Sequence, residues 1–241
     1  MNARLFLIIL LLTCLPLVVF ADVERDADLQ AKAADKISDI MRDNGLWVEV
    51  ADGVAKLSGK VPSVWAKNEA VARALDVDGV SAVEDNVEIT YGESDEKVAE
   101  EVAKTVRHYS LFTLYDDVKL SVNEGHVVLT GRVTTSFKSD AIETLASKVM
   151  GVQSVTNEIA ELPPSNQDQR LRVAIAYRIY GDSVFRSLAS MANPPIHIIV
   201  ERGHVALEGA VISEIEKRKA EHIARSTFGV FSVENRLRVG D

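Results

Sequence analysis

One short pattern occurs three times along this chain, and it constrains the fold more than any other feature. Residues 53–59 (GVAKLSG), 125–131 (GHVVLTG) and 203–209 (GHVALEG) share the form G-x-[AV]-x-L-x-G. Each is followed by a valine after one more residue: Val61, Val133 and Val211. Twenty residues past the second glycine stands a further Gly-Val pair, Gly79-Val80, Gly151-Val152 and Gly229-Val230. These pairs open the segments GVSAVED, GVQSVTN and GVFSVEN. Matching glycines at two spacings, three times over, define a repeat of about 70 residues, longer than the ~20–45 residues of solenoid units. Each copy is therefore expected to be a domain in its own right.

The pattern inside one copy gives its elements. Ala33, Ile37, Ile40 and Met41 are spaced for one face of an amphipathic helix over Asp28–Asn44, ended by Gly45. Residues 47–50 (WVEV) read as a strand, and Asp52-Gly53 as a hairpin turn. Ala55, Leu57, Gly59 and Val61 then alternate with Val54, Lys56, Ser58 and Lys60 in a second strand. A second helix over residues 63–75 and a last strand over 80–90 complete an αββαβ order. The first glycines, Gly53, Gly125 and Gly203, serve the turns. The second glycines, Gly59, Gly131 and Gly209, stand in mid-strand, where glycine weakens a sheet. Fifteen residues on, each copy has an alanine in the second helix: Ala74, Ala146 and Ala224. The expectation is that glycine lets that helix lie close to the sheet, with alanine as the near contact.

The first residues have the grammar of an export signal. Arg4 precedes an apolar stretch from Leu5 to Phe20, and residues 19–21 (VFA) suit a cut before Asp22. Sixteen helical residues span about 24 Å, short of the ~30 Å hydrocarbon core. Retention as an anchor and acylation of Cys14 remain the alternatives. Cys14 is the only cysteine, so a chain cut after Ala21 has no disulfide and no thiol nucleophile.

The glycine and valine motifs resemble those of the BON family, named for bacterial OsmY and nodulation proteins. The resemblance covers the whole chain beyond the export segment. It implies an α+β fold of three tandem αββαβ domains, each a three-stranded mixed sheet backed by two helices, after an N-terminal signal peptide. The divisions are 1–21 (signal peptide), 22–92, 93–162, a linker at 163–167, and 168–241, with a short join at residues 92–95 (GESD). It further implies a non-catalytic protein of the periplasm or outer membrane, associated with envelope integrity and osmotic stress, with phospholipid as a partner. The first copy departs from the motif at Ala55 and Asp85. The third has a break at Tyr180-Gly181-Asp182 and an Asn193-Pro194-Pro195 insert, which predict a first helix split in two.

Charge separates the copies. The net charge of −9 argues against a general nucleic-acid binder. Residues 22–92 hold 8 basic and 15 acidic side chains, a net of −7, and residues 93–162 hold 7 and 12, a net of −5. Residues 163–241 hold 11 and 9, a net of +2. Attraction to anionic lipid is thus expected in the third copy. There Arg170, Arg172, Tyr177, Arg178 and Tyr180 are the candidate membrane-binding residues on a basic, aromatic helix. The competing reading is an ordinary amphipathic helix with Leu171, Ile175 and Ile179 in the core and solvated arginines.

His126 and His204 follow the turn glycines and read as hairpin residues rather than metal ligands. His197 and His204 lie on neighbouring strands, a weak two-ligand set. Neither a metal nor a cofactor is expected, and no nucleophile elbow, P-loop or dinucleotide fingerprint is present. Two functional expectations follow. The first is a non-catalytic periplasmic envelope-maintenance or osmotic-stress protein touching phospholipid or another envelope component through the third copy. The second is a scaffold whose acidic first two copies dock a periplasmic or outer-membrane protein.

Overall fold

The computed structural model describes residues 17–42, 45–90 and 94–240, with side chains from Val23 onward. The expected export segment, with Cys14 and the expected cut after Ala21, lies outside the described side chains, and Gly92 and Glu93 of the 92–95 join lie outside the described residues. The described residues pack into two compact units, one within residues 17–61 and 66–88, the other within residues 62–65 and 89–240.

The first copy contains α1 (Leu17–Lys36), α2 (Ser38–Met41), β1 (Trp47–Ala51), β2 (Val54–Val61), α3 (Val64–Leu75) and β3 (Ala82–Ile89). The second contains α4 (Asp95–His108), β4 (Asp117–Asn123), β5 (His126–Val133), α5 (Ser136–Ser147) and β6 (Ser154–Glu161). The third contains α6 (Asn166–Gly181), β7 (Ile196–Glu201), β8 (His204–Val211), α7 (Glu214–Arg225), β9 (Ser232–Asn235) and β10 (Arg238–Val239). The sheet orders are β1-β2-β3 and β4-β5-β6, and in the third copy β8 lies between β7 on one side and β9 and β10 on the other. Each hairpin is antiparallel, and β6, β9 and β10 run parallel to the strand they join. This is the expected αββαβ architecture, with one addition: the closing strand of the third copy is broken at Arg236 and Leu237.

Two local expectations are corrected. The first helix of copy 1 starts earlier than its apolar spacing indicates and is interrupted at Ile37, whose ψ of 11° leaves the helical range. In copy 3 the first helix is not split. Asn166–Gly181 is continuous, and the residues after it carry only a short 3-10 turn at Leu188–Ser190.

The turn glycines behave as their pattern indicates. Asp52-Gly53, Glu124-Gly125 and Arg202-Gly203 all have positive φ at both residues, the two-residue turn whose twist matches a hairpin. The mid-strand glycines need a different account from the expected one. Gly131 has φ of +127°, and a Cβ there would overlap the carbonyl oxygen of Asp117 on the facing strand. Gly59 meets Gly45 and Gly209 meets Pro195 in the same way. The close approach is therefore made by the backbone entering the hairpin, not by the helix. Ala74, Ala146 and Ala224 are buried, but they are not the contact that requires glycine.

A second repeated device was not read from the sequence. An aspartate on the first helix of each copy accepts both backbone N–H groups of the hairpin turn. Asp26 takes Asp52 and Gly53 at 2.7 and 3.1 Å. Asp95 takes Glu124 and Gly125 at 2.8 and 2.9 Å, and Asp168 takes Arg202 and Gly203, both at 2.8 Å. Charge-assisted bonds of this kind fix the helix on the tip of its own hairpin.

Copies 2 and 3 share one unit, and a polar joint connects them. Asp116 is 0% exposed. Its carboxylate accepts from Thr113 and Thr134, through backbone and hydroxyl groups, and from Lys138 Nζ at 2.7 Å. Burial pushes this carboxyl up, but the bonds from Lys138, Thr134 and Thr113 outweigh it and hold it below the usual range. The Asp116 carbonyl in turn bonds to His197 Nδ1 on β7. Nearby, Ile198 N–H donates to the Leu114 carbonyl at 2.7 Å, and Lys119 pairs with the buried Glu208 at 2.9 Å.

Candidate functional site: the outer face of the third copy

α6 begins where Ser165 caps it, accepting from Asp168 N–H. Leu171, Ile175 and Ile179 face the core, as their spacing predicts. The five candidate membrane residues then divide. Arg172 is only 4% exposed, and it donates to the Val200 carbonyl of β7 at 2.7 Å and to Gln169 Oε1 at 3.2 Å. The Tyr180 hydroxyl donates to the Ile196 carbonyl at 2.7 Å and accepts from Ile196 N–H at 3.1 Å. Burial raises its pKa further above the phenol range. Both side chains thus face the sheet and serve its edge, so the structure does not bring all five residues to one surface.

Arg170 and Tyr177 do share the outer face, two turns apart, and Tyr177 is 82% exposed. Half-exposed Val173 lies between them in sequence on the same helix. Arg178 is exposed too, but donates to Thr227 Oγ1 at 2.8 Å and Ser226 Oγ at 2.9 Å. Those bonds, with the Leu171 side chain close to Gly229, lay the loop of residues 226–231 alongside α6.

That loop carries the residues that sequence reasoning missed. Phe228 is 99% exposed and Phe231 is 76% exposed. Leaving two phenylalanines in water is costly, since burying such a side chain is worth ~1.5–3 kcal/mol. The signal was present in the repeat. The residue before the second Gly-Val is Asp78, Met150 or Phe228, and the residue after it is Ser81, Gln153 or Phe231. Only copy 3 places aromatic rings at both positions. Arg170, Arg178 and Arg225 supply cationic groups on the two helices that flank the loop.

The histidines stay in the scaffold. His126 Nδ1 bonds Ser154 Oγ and His204 Nδ1 bonds Ser232 Oγ, each at 2.7 Å, so both tie a hairpin to its closing strand. Among the described residues, no group of three His, Cys, Asp or Glu side chains is placed to hold a metal ion. Among them also, no helix is long and apolar enough to cross a membrane.

The match to a known family agrees with this architecture. The family model "BON domain" matches residues 25–91, 94–163 and 182–241. Osmotically-inducible protein Y of Escherichia coli (strain K12) is 31% identical over 137 residues, covering 54% of this chain and 68% of that protein. Among solved structures, the C-terminal domain of CdsD, a structural protein of the type III secretion system of Chlamydia trachomatis, aligns over 86% of this chain and 96% of its own. The TM-score is 0.25 and the identity 16%. The PrgH periplasmic domain aligns over 84% and 99%, with a TM-score of 0.21 and 12% identity. The family model, matched three times over most of the chain, makes this protein a member of the BON-domain family with three copies of the domain.

Proposed function

We propose that the protein is an exported, non-catalytic envelope protein of the osmotic-stress response that touches anionic phospholipid through its third copy. The observation that carries the reading is the loop at Phe228 and Phe231, two exposed rings flanked by arginines on the one net-basic copy. Phenylalanine inserts at the boundary between headgroups and acyl chains, while arginine on the same surface is drawn to lipid phosphate. The similarity to osmotically-inducible protein Y supports the osmotic role, and the N-terminal export pattern supports the periplasm.

The experiment is flotation of the full chain with vesicles containing phosphatidylglycerol, at low and high salt. The Phe228→Ser/Phe231→Ser variant is expected to bind at least about tenfold more weakly, and about a hundredfold if both rings insert fully, because two aromatic contacts with lipid are lost. Its melting should stay close to the parent's, since Phe228 lies in solvent and Phe231, though three-quarters exposed, gives up only its contact with the Gly203-His204 turn. Arg170→Gln/Arg178→Gln should remove most of the salt sensitivity. Unchanged flotation of the phenylalanine variant, or no vesicle binding at low salt, would overturn the reading.

A further inference from the structure

The geometry points to a second interaction surface: the free edge of β4 accepts an extended peptide strand in the groove between α4 and copy 3. In a two-residue hairpin the pair flanking the turn is the hydrogen-bonded one, here Asn123 with His126. Counting back, Val118, Leu120 and Val122 turn their N–H and C=O groups away from β5. The same count in copy 3 gives Ile196, Ile198 and Val200. All three there are engaged, by Tyr180, Leu114 and Arg172. In copy 1, Val50 N–H donates to Gln30 Oε1. Among the described residues, the outward backbone groups of β4 have no such partner.

Beside this edge lies a groove of about 800 Å³, within the ~300–1,000 Å³ range of ligand-binding clefts. Ala99 and Ala103 on α4 keep its wall low, and Phe112, Val118 and Leu120 make its apolar floor. Val118, Leu120 and Val122 are only partly buried, whereas Ile196, Ile198 and Val200 are fully enclosed. Unpaired backbone at strand spacing next to half-covered apolar side chains fits another backbone better than a compact small molecule.

The charges select the strand. Asp95 holds the start of α4 on the hairpin tip, so Glu96 and Glu100 lie toward the Val122 end of β4 and Arg107 toward the Val118 end. Glu96, Glu100 and Arg107 are exposed and have no ion-pair partner among the described residues. The occupant is therefore an extended segment with alternate apolar residues, a cation at one end and an anion at the other. It stands apart from the lipid surface, and neither depends on the other.

The test is ¹⁵N NMR titration of the full chain with a synthetic peptide of alternating valine and threonine, lysine at one end and aspartate at the other. The amide signals of Val118 and Leu120 should move, and their exchange with water should slow. Methylating alternate peptide nitrogens removes the backbone donors but keeps the side chains. That change, and separately Ala103→Arg, which fills the groove without touching the core, should each weaken binding by about tenfold. The proposal falls if millimolar peptide leaves β4 unmoved, if the methylated peptide binds equally well, or if Ala103→Arg has no effect.

Discussion

Strands β4 and β7 hold the same place in consecutive copies, each the first strand of its hairpin and the outer strand of its sheet. At β7 the outward backbone is met by a tyrosine, an arginine and a carbonyl from copy 2. At β4 it faces a groove. The residues common to both copies, the turn glycines, the bend glycines and the aspartate clamp, build the same hairpin in each. What the edge does is decided by residues the repeat does not share: Arg172, Tyr180 and the residues 182–195 on one side, Ala99 and Ala103 on the other. A repeat of this kind thus conserves its scaffold while leaving each exposed edge free to be closed or used.

The largest expected effect is at the joint between the two strands. Asp116→Asn removes the charge that compensates buried Lys138 and should cost about 3–5 kcal/mol, read from urea unfolding. The folded carboxyl is held below the usual range, so its contribution is present above the unfolded value of ~3.9 and is lost as pH falls below it. The gap between parent and variant should therefore narrow below about pH 4. A gap that is constant down to pH 2 would show that the carboxylate is not the source of the stability. Asp117, next in the chain, moves the other way, because burial and then the repulsion of Glu208 raise it.

The shared half of the comparison is tested at the bend glycines. Gly131→Val should cost about 2–4 kcal/mol, from the positive φ and from overlap with the Asp117 carbonyl. Gly209→Val should cost about the same, since Pro195 stands in the equivalent place. Adding Ala146→Gly to Gly131→Val should restore nothing, as measured by thermal melting. Recovery in that double variant would return the glycine to a helix-packing role and break the equivalence of the two hairpins.

Most of the fold was legible because its causes are local. Alternation along residues 54–61 gave β2, and the glycine pairs gave both the turns and the period. The reason for Gly59, Gly131 and Gly209 was not legible, since their φ and the carbonyl opposite depend on how the chain enters the hairpin. The Asp26, Asp95 and Asp168 clamps escaped notice because their distances to the turns differ, at 27, 30 and 35 residues. At the candidate site, charge and aromatic content singled out α6 but not which way each side chain points. Arg172 and Tyr180 face inward, as a strand in need of partners sits there. Phe228 and Phe231 could have been found by reading the copies against each other for what they do not share.

The smallest effect is the one that separates the edges most finely. Tyr180→Phe keeps the ring and removes only the hydroxyl that serves both Ile196 groups. Leaving those groups without a partner should cost about 1–2 kcal/mol in melting, with faster amide exchange at Ile196 and unchanged vesicle flotation. A loss of lipid binding without a loss of stability would instead return Tyr180 to the membrane surface. The same variant tests what makes β4 receptive. If an unsatisfied edge were enough, Tyr180→Phe would draw the valine–threonine peptide to copy 3 as well. The side chains of Ile196, Ile198 and Val200 remain enclosed, so no apolar floor is offered there. The peptide should therefore stay with β4, because strand addition needs a groove beside the edge as well as open hydrogen bonds along it.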